Sequence, residues 1–284
     1  MSPVSRTHVS QGLKLHYVDW GNEGAPLLLL VHGTRDHARS WDWTAEALRD
    51  RWHVIAPDLR GHGDSQWSPD GVYLSPFHVL DIADLIDTLG DQRLTIVGHS
   101  YGGYVCGRYA SIFPERVRKL VLVDSLGPSP KVLAKWAEQG PVKRSREWIE
   151  KRRETRARQP RRFVTSEEAV ARMAAANRHL SEDQARHLAL HGIRLYADGY
   201  GWKYDPEIWN FLPEEFSQDS TGFWREITAP TLLCWGAESW TPNPRVDESA
   251  AHFADHRIAV FEKAGHWLHH DRLEAFLVAL NEFL

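Results

Sequence analysis

The sequence predicts an α/β protein in which helices flank a mostly parallel sheet and a long helical segment is inserted between two core strands. Three observations predict this fold. Short apolar runs alternate with segments of helical periodicity. Several runs are apolar at every position, as in strands buried on both faces. The alternation stops between residues 127 and 225, where helical patterns rich in Trp, Arg and Glu follow one another without a strand-like run.

The predicted strands are short and regularly placed along the chain. Residues 13–20 alternate apolar and polar side chains before Gly21, which fits a strand with one exposed face. Residues 27–31 are apolar throughout and end at His32-Gly33, as expected of a strand buried on both faces. Further runs occupy residues 54–56, 94–97, 120–123, 231–235 and 257–261.

Helical patterns separate these strands. Ser75-Pro76 opens a pattern of apolar residues at helical spacing, and Gly90 ends it. Residues 101–113 predict a helix that Pro114 terminates, and residues 273–284 predict an amphipathic helix at the end of the chain. Helices that connect successive strands favour a parallel sheet.

Composition excludes several classes of function. The chain has 284 residues, 34 Lys and Arg against 38 Asp and Glu, and two cysteines. A net charge of −4 disfavours general binding to nucleic acid or to anionic membranes. Two cysteines exclude a disulfide framework and a Cys-rich zinc site, and they fit a reducing compartment. We therefore expect a cytoplasmic protein that acts on a small molecule without a nucleic-acid or membrane partner.

One segment of the insertion is strongly basic. Residues 143–162 carry ten basic and three acidic side chains. A solvent-exposed helix face explains such a run, and a site for anionic partners is the alternative interpretation.

A candidate nucleophile follows the apolar run at residues 94–97. The sequence Gly98-His99-Ser100-Tyr101-Gly102-Gly103 is a G-x-S-x-G pattern between a predicted strand and a predicted helix. The sharp turn strains the serine backbone, and glycines two positions before and after it permit close backbone approach. The Ser100 hydroxyl is then exposed at a helix N-terminus, where developing negative charge is stabilised.

Serine catalysis also needs a base and an oxyanion site. His266 follows Gly265 just after the last predicted strand, which is the position and chain order that suit the base. Thr34 follows the buried run at residues 27–31, and its backbone N–H and that of Tyr101 are the predicted oxyanion donors.

These motifs resemble the α/β-hydrolase fold superfamily. The matching pieces span nearly the whole chain in order, and comprise His32-Gly33 with Trp41, residues 57–65, 98–103, 114–117 and 230–236, and Gly265-His266-Trp267. The resemblance implies an eight-stranded α/β-hydrolase core at residues 1–126 and 226–284, with a helical cap at 127–225. It also implies a hydrolase that uses no cofactor and no metal.

The catalytic acid departs from the pattern of the superfamily. Its usual place, three residues after Gly236, holds Ser239, which cannot carry the negative charge that an imidazolium needs. Glu238 is one residue early but longer by a methylene, and Asp124 ends a predicted strand where some relatives carry their acid. We favour Glu238, with Asp124 as the alternative; either would orient His266 and stabilise its charged form.

A serine nucleophile implies acyl transfer. Epoxide hydrolases and haloalkane dehalogenases of this fold need a carboxylate to form an alkyl-ester intermediate, and Ser100 stands in its place. We therefore expect a carboxylesterase for small to medium apolar acyl groups, with Tyr101, Trp240 and Trp267 contacting the substrate. The alternatives are a carbon–carbon bond hydrolase of vinylogous diketones and, from another class, a non-catalytic ligand-binding relative.

Overall fold

The computed structural model describes residues 2–90, 93–128, 130–212, 215–216, 220–246 and 248–284, and it confirms the predicted fold class. The main sheet has eight strands. In chain order they are β1 (Val4–Ser10), β2 (Leu13–Asp19), β3 (Leu27–Val31), β4 (His53–Pro57), β5 (Leu94–His99), β6 (Val117–Val123), β9 (Thr231–Gly236) and β10 (His256–Phe261).

The strand order is β1-β2-β4-β3-β5-β6-β9-β10. β2 runs antiparallel to both of its neighbours. The other six strands, which are β4, β3, β5, β6, β9 and β10 in sheet order, pair in parallel. Because parallel strands end at the same edge, the loops that follow β3, β5, β6, β9 and β10 meet above the carboxyl ends of the sheet. The predicted catalytic residues lie in these loops.

Strand β1 was not predicted from the sequence. It pairs with β2 through a tight turn at Gln11 and Gly12, both of which have positive φ. Five of its seven side chains are exposed, so the segment lacks the apolar periodicity that marks a buried strand. The edge position of β1 accounts for this polar sequence.

Helices cover both faces of the sheet. The core helices are α1 (Asp42–Leu48), α2 (Ser75–Leu89), α3 (Ser100–Ile112), α9 (Leu268–Asp271) and α10 (Leu273–Phe283). Alternate side chains of β3 divide between the two faces: Leu27 and Leu29 pack with α2 and α3, whereas Leu28 and Leu30 pack with α1 and α10. Each face of the sheet thus has its own apolar core.

The segment between β6 and β9 is mainly helical. Its elements are α4 (Pro130–Glu138), α5 (Pro141–Ala157), α6 (Ser166–Ala176), α7 (Glu182–Gly192), β7 (Ile193–Tyr196), β8 (Gly199–Trp202) and α8 (Ser220–Arg225). The expectation that it contains no strand was wrong, because β7 and β8 form an antiparallel hairpin. Each of these strands has only four residues, too few to give a periodic apolar signal.

Among the described residues, no helix is both long enough and apolar enough to cross a lipid bilayer.

Candidate active site

Ser100 lies at the sharp turn between β5 and α3, as the G-x-S-x-G pattern predicts. Its φ is +52°, in the left-handed region that L-residues seldom adopt. A Cβ on Gly102 would lie 2.1 Å from the carbonyl oxygen of His32, and one on Gly98 would lie 2.6 Å from the Cα of Gly103. The glycines therefore allow β3, β5 and α3 to pack closely enough to hold the strained serine in place.

Ser100, His266 and Asp124 form a continuous hydrogen-bonded series. The Ser100 hydroxyl lies 2.8 Å from Nε2 of His266, and Nδ1 of His266 lies 2.5 Å from Oδ2 of Asp124. The imidazole can accept the serine proton at Nε2 while its Nδ1–H donates to the carboxylate. Chemically, such an arrangement can serve as a nucleophile, a base and an orienting acid.

Asp124 occupies the end of β6 and is held by additional donors. Its φ is +53°, so the chain turns sharply and directs the carboxylate toward His266. The Ser239 hydroxyl donates to Oδ2 at 2.5 Å, and the Thr241 hydroxyl donates to Oδ1 at 2.8 Å. The carboxylate side chain is fully buried, so these hydrogen bonds replace the water that an ion requires.

The preference for Glu238 as the partner of His266 is corrected by this geometry. The Glu238 carboxylate faces outward, 2.5 Å from a guanidinium nitrogen of Arg178 and 3.3 Å from Nε2 of His179. Its neighbour Ser239 faces Asp124, as Thr241 does two residues later. Adjacent side chains in the turn point in different directions, so the extra methylene of Glu238 does not bring it to His266.

The turn after β3 lies against Ser100. A Cβ on Gly33 would lie 2.9 Å from the Cβ of Ser100, so any larger residue would displace one of them. Nδ1 of the buried His32 donates to the carbonyl of Gly33 at 2.7 Å, and its Nε2 accepts from the Leu59 N–H at 3.0 Å. Thr34 lines the same cavity as Ser100 and Tyr101. The Tyr101 N–H lies in the first turn of α3, where no intrahelical carbonyl can accept it.

A cavity of about 600 Å³ opens above Ser100 and His266. Aromatic and apolar side chains form most of its wall, including Tyr101, Tyr104, Trp136, Trp148, Trp209, Phe211, Leu212, Phe216 and Trp240. Other parts of the wall are polar or charged, including Gln139, Arg144, Glu147, Lys151 and Asn210 of the segment between β6 and β9. The volume suits a small organic molecule.

Two of the three residues predicted to contact substrate lie in this wall. Tyr101 lines the cavity, and Trp240, which is 74% exposed, places its ring 4.8 Å from that of His266. Trp267 is not among the lining residues, and its ring packs edge-on against His270 at 5.7 Å. Trp267 precedes α9, and its side chain turns toward that helix rather than toward the cavity, so the structure gives no support to its predicted contact with substrate.

Two buried side chains, those of His99 and Glu215, hold neighbouring parts of the site in position through hydrogen bonds. Burial lowers the pKa of His99 well below its ordinary value, so the ring is neutral, and its Nε2–H donates to the backbone carbonyl of His266 at 2.9 Å. Burial raises the pKa of Glu215, whose carboxylate accepts from the Ser75 N–H at 2.9 Å and the Tyr101 hydroxyl at 3.3 Å. These contacts anchor the loop that carries His266 and the ring of Tyr101.

Among the residues that the structure describes, two side-chain clusters have the composition of a metal site, and both lie outside the cavity. Asp42, His187 and His191 form one, and His16, Asp58 and Asp64 form the other. Each carboxylate at the centre of a cluster is already engaged. Asp42 pairs with Arg39 at 2.6 Å, and Asp58 accepts from the Ala38 N–H at 2.6 Å and pairs with His16 at 2.7 Å. These contacts satisfy both carboxylates within the protein.

Comparison with known proteins identifies the family. A model of the alpha/beta hydrolase fold matches residues 26–273. The chain belongs to the α/β-hydrolase fold family. This α/β-hydrolase is 26% identical over 280 residues to mouse epoxide hydrolase 4, covering 92% of the chain and 73% of the mouse protein. It is 32% identical over 191 residues to a zebrafish serine hydrolase-like protein, covering 66% of the chain and 58% of that protein.

Solved structures share the fold of this α/β-hydrolase. E-2-(acetamidomethylene)succinate hydrolase superposes with a TM-score of 0.83 at 22% identity, and 99% of each chain is covered. An esterase from Mycobacterium tuberculosis superposes with a TM-score of 0.70 at 23% identity, covering 99% of this chain and 91% of the other. At these identities the similarity concerns the fold alone.

The two hydroxyl donors to Asp124 were not predicted from the sequence. Ser239 was noted only as a residue that cannot serve as the acid, and Thr241 was not considered. A signal was nevertheless present, because a polar residue stands where the superfamily places a carboxylate next to the catalytic histidine. A hydroxyl at that position can donate to a carboxylate supplied by a neighbouring strand.

Proposed function

We propose that the protein is a serine esterase that cleaves carboxylic esters of small to medium apolar acyl groups through an acyl-enzyme at Ser100. The observation that carries the proposal is the series of hydrogen bonds from Asp124 through His266 to the strained Ser100 at the floor of a largely apolar cavity. Nucleophile, base and acid come from the loops after three different strands, and their contacts suit acyl transfer.

The proposed reaction has two halves. His266 accepts the Ser100 proton at Nε2 as Oγ attacks the ester carbonyl, and the backbone N–H groups of Thr34 and Tyr101 stabilise the oxyanion. The imidazolium, stabilised by Asp124, then protonates the leaving alcohol as the carbon–oxygen bond breaks. Water activated by His266 attacks the acyl-enzyme, and release of the acid restores Ser100.

The identity of the nucleophile separates this proposal from epoxide hydrolysis, the activity named for the mouse relative. Opening an epoxide through an alkyl-enzyme requires a carboxylate, because the ester that it forms can be hydrolysed at its carbonyl carbon. Ser100 would form an ether instead, which water does not readily cleave. An alcohol nucleophile therefore favours carbonyl substrates.

We also propose that residues 127–225 act as a cap over the site. Trp136, Trp148 and Phe211 of this segment line the cavity that contains Ser100 and His266. A lid of aromatic side chains excludes water from the acyl group and strengthens electrostatic interactions around the oxyanion.

A carbon–carbon bond hydrolase remains the second candidate function. The observation that favours it is the polar part of the cavity wall, where Gln139, Lys151 and Asn210 can bind the oxygens of a diketone. The two functions use the same Ser100 and His266 but release different products. An ester gives an alcohol, whereas a vinylogous diketone gives a ketone-derived fragment.

The test is hydrolysis of a p-nitrophenyl ester series, from acetate to palmitate, by the wild type and by Ser100→Ala. The proposal expects turnover of the shorter esters and a loss of at least about a thousandfold in the variant. The chain-length profile reports the length of acyl chain that the cavity admits. Folded wild-type protein without activity on any ester would contradict the esterase assignment, and assays with vinylogous diketones would then test the second candidate.

A further inference from the structure

The charges of the chain are distributed unevenly between the α4–α5 segment, defined as residues 130–162, and the rest of the molecule. Residues 130–162 hold twelve Lys and Arg against four Glu, whereas the whole chain holds 34 against 38. The remaining residues therefore carry 22 basic and 34 acidic side chains. The basic excess is concentrated in the segment that provides part of the cavity wall.

One face of α5 lines the cavity and carries positive charge. Arg144, Glu147, Trp148 and Lys151 all line it, and their spacing places them on a single helix face. The Glu147 carboxylate lies 3.8 Å from Nζ of Lys143, so a neighbouring cation balances its charge. Lys151 forms no ion pair within the part of the chain that the structure describes.

Further basic side chains of the α4–α5 segment add to the positive electrostatic field around this part of the cavity. Arg152 and Arg156 pair with Glu207, and Arg158 pairs with Glu154. Within the described ranges, five others form no ion pair: Lys131, Lys135, Arg146, Arg153 and Arg161. Arg146 and Arg153 lie on the outer face of α5 and do not reach the cavity. At an ionic strength of 0.1 M, however, charges act over about 10 Å, roughly the diameter of a helix.

We propose that the α4–α5 segment selects esters that carry a negative charge outside their acyl chain, on the leaving group. The aromatic part of the cavity, including Trp136, Phe211 and Phe216, suits an uncharged acyl chain and would exclude an anion. The α5 face is the part of the wall where an anion gains from Lys151 and from the surrounding positive field. This inference rests on the proposed esterase function and adds the charge of the preferred substrate.

A pair of chromogenic esters that differ by one carboxylate tests the inference. 2-Nitrophenyl butyrate is neutral, and 3-butyryloxy-4-nitrobenzoate has the same acyl group with a carboxylate on the leaving group. Each kcat/KM is divided by the rate constant for hydrolysis of that ester by hydroxide. This normalisation corrects for the difference in intrinsic reactivity between the two esters. We expect the anionic ester to be favoured about tenfold at low ionic strength. The advantage should decline toward unity as NaCl screens the field.

Charge variants locate the source of the preference. Lys151→Gln and the double variant Arg146→Glu/Arg153→Glu should each reduce the advantage of the anionic ester at least about threefold. The matched control is Arg118→Glu/Arg257→Glu, which makes the same charge change with exposed residues near the amino ends of β6 and β10. Both residues lie at the amino ends of the parallel strands, whereas Ser100 lies at their carboxyl ends, so the control variant should retain the preference for the anionic ester.

Three results would overturn the inference. These are equal efficiencies for the two esters, a preference that both α5 variants retain, and a preference that the control loses to the same extent as the α5 variants. Hydrolysis of the neutral ester separates this inference from the function on which it rests. If the wild type cleaves the neutral ester without preferring the anionic one, the esterase proposal stands and the inference fails. If it cleaves neither ester, both fail.

Discussion

At the scale of single residues, the main result is that the partner of His266 is Asp124 rather than Glu238. Ser100 and His266 could be predicted because each lies in a short motif whose conformation is determined locally. The acid could not, because Glu238 and Ser239 are neighbours and the sequence does not say which side chain of the turn faces inward. Three-dimensional contacts with Arg178 and with Asp124 settle their directions.

The contrast between these two carboxylates gives the first prediction. Asp124→Asn should lower kcat/KM by about ten-thousandfold, because the amide can neither select the imidazole tautomer nor stabilise its charged form. Glu238→Gln should remain within about threefold of the wild type, since it removes an exposed ion pair. Steady-state ester hydrolysis measures both, with circular dichroism to check folding. Comparable losses in the two variants would contradict the assignment.

The two tryptophans predicted to bind substrate give the second prediction. Trp240→Ala should raise KM severalfold, because its ring borders His266 and the cavity. It should leave the melting temperature nearly unchanged, because the side chain is largely exposed. Trp267→Ala is the matched control, and its KM should equal that of the wild type because its ring packs on His270. A larger KM change in the control than in Trp240→Ala would overturn this placement.

At the scale of elements, apolar periodicity predicted the buried strands and the helices between them, and failed where strands are exposed or very short. β3 is buried at all five positions and was predicted with its observed bounds. β1, mostly exposed at the edge of the sheet, and the four-residue strands β7 and β8 were missed. Few side chains of these strands are buried, so their sequences lack apolar periodicity, and single-sequence patterns do not report pairing with a neighbouring strand.

The junction of β5 and α3 gives the third prediction. Gly102→Ala should destabilise the protein by several kcal/mol, because the new methyl would overlap the backbone carbonyl of His32, which cannot rotate away. Gly265→Ala is the control, since its Cβ would lie no closer than 3.5 Å to any neighbour outside the adjacent residues, and its φ is not in the left-handed range. Thermal unfolding measures both. Equal melting temperatures for the two variants would show that the junction tolerates a side chain.

At the scale of the whole molecule, buried neutral histidines should make stability depend on pH. Burial lowers the pKa of His32 and His78 to about 3 and that of His62 to about 4. In the unfolded chain these groups titrate near 6.5, so below that pH the unfolded state binds more protons than the folded state. The stability that these neutral rings contribute is fully present above pH 6.5. It is lost as the pH falls toward the pKa values that the rings have in the folded state.

The fourth prediction follows from this linkage. The melting temperature should fall by about 5 °C or more between pH 7 and pH 5, because each such histidine favours unfolding by up to about 1.4 kcal/mol per pH unit. Differential scanning calorimetry at constant ionic strength measures the change. A melting temperature that stays constant over this range would show that the buried rings accept protons without unfolding.

The proposed mechanism requires that an acyl group be transferred to Ser100. The most direct measurement is mass spectrometry of the protein after brief reaction with p-nitrophenyl butyrate and acid quenching, followed by peptide mapping. We predict a single butyryl adduct, 70 Da heavier than the free protein, on the peptide that contains Ser100. It should be absent from Ser100→Ala. An adduct on another residue, or continued hydrolysis by the Ser100→Ala variant, would contradict the account.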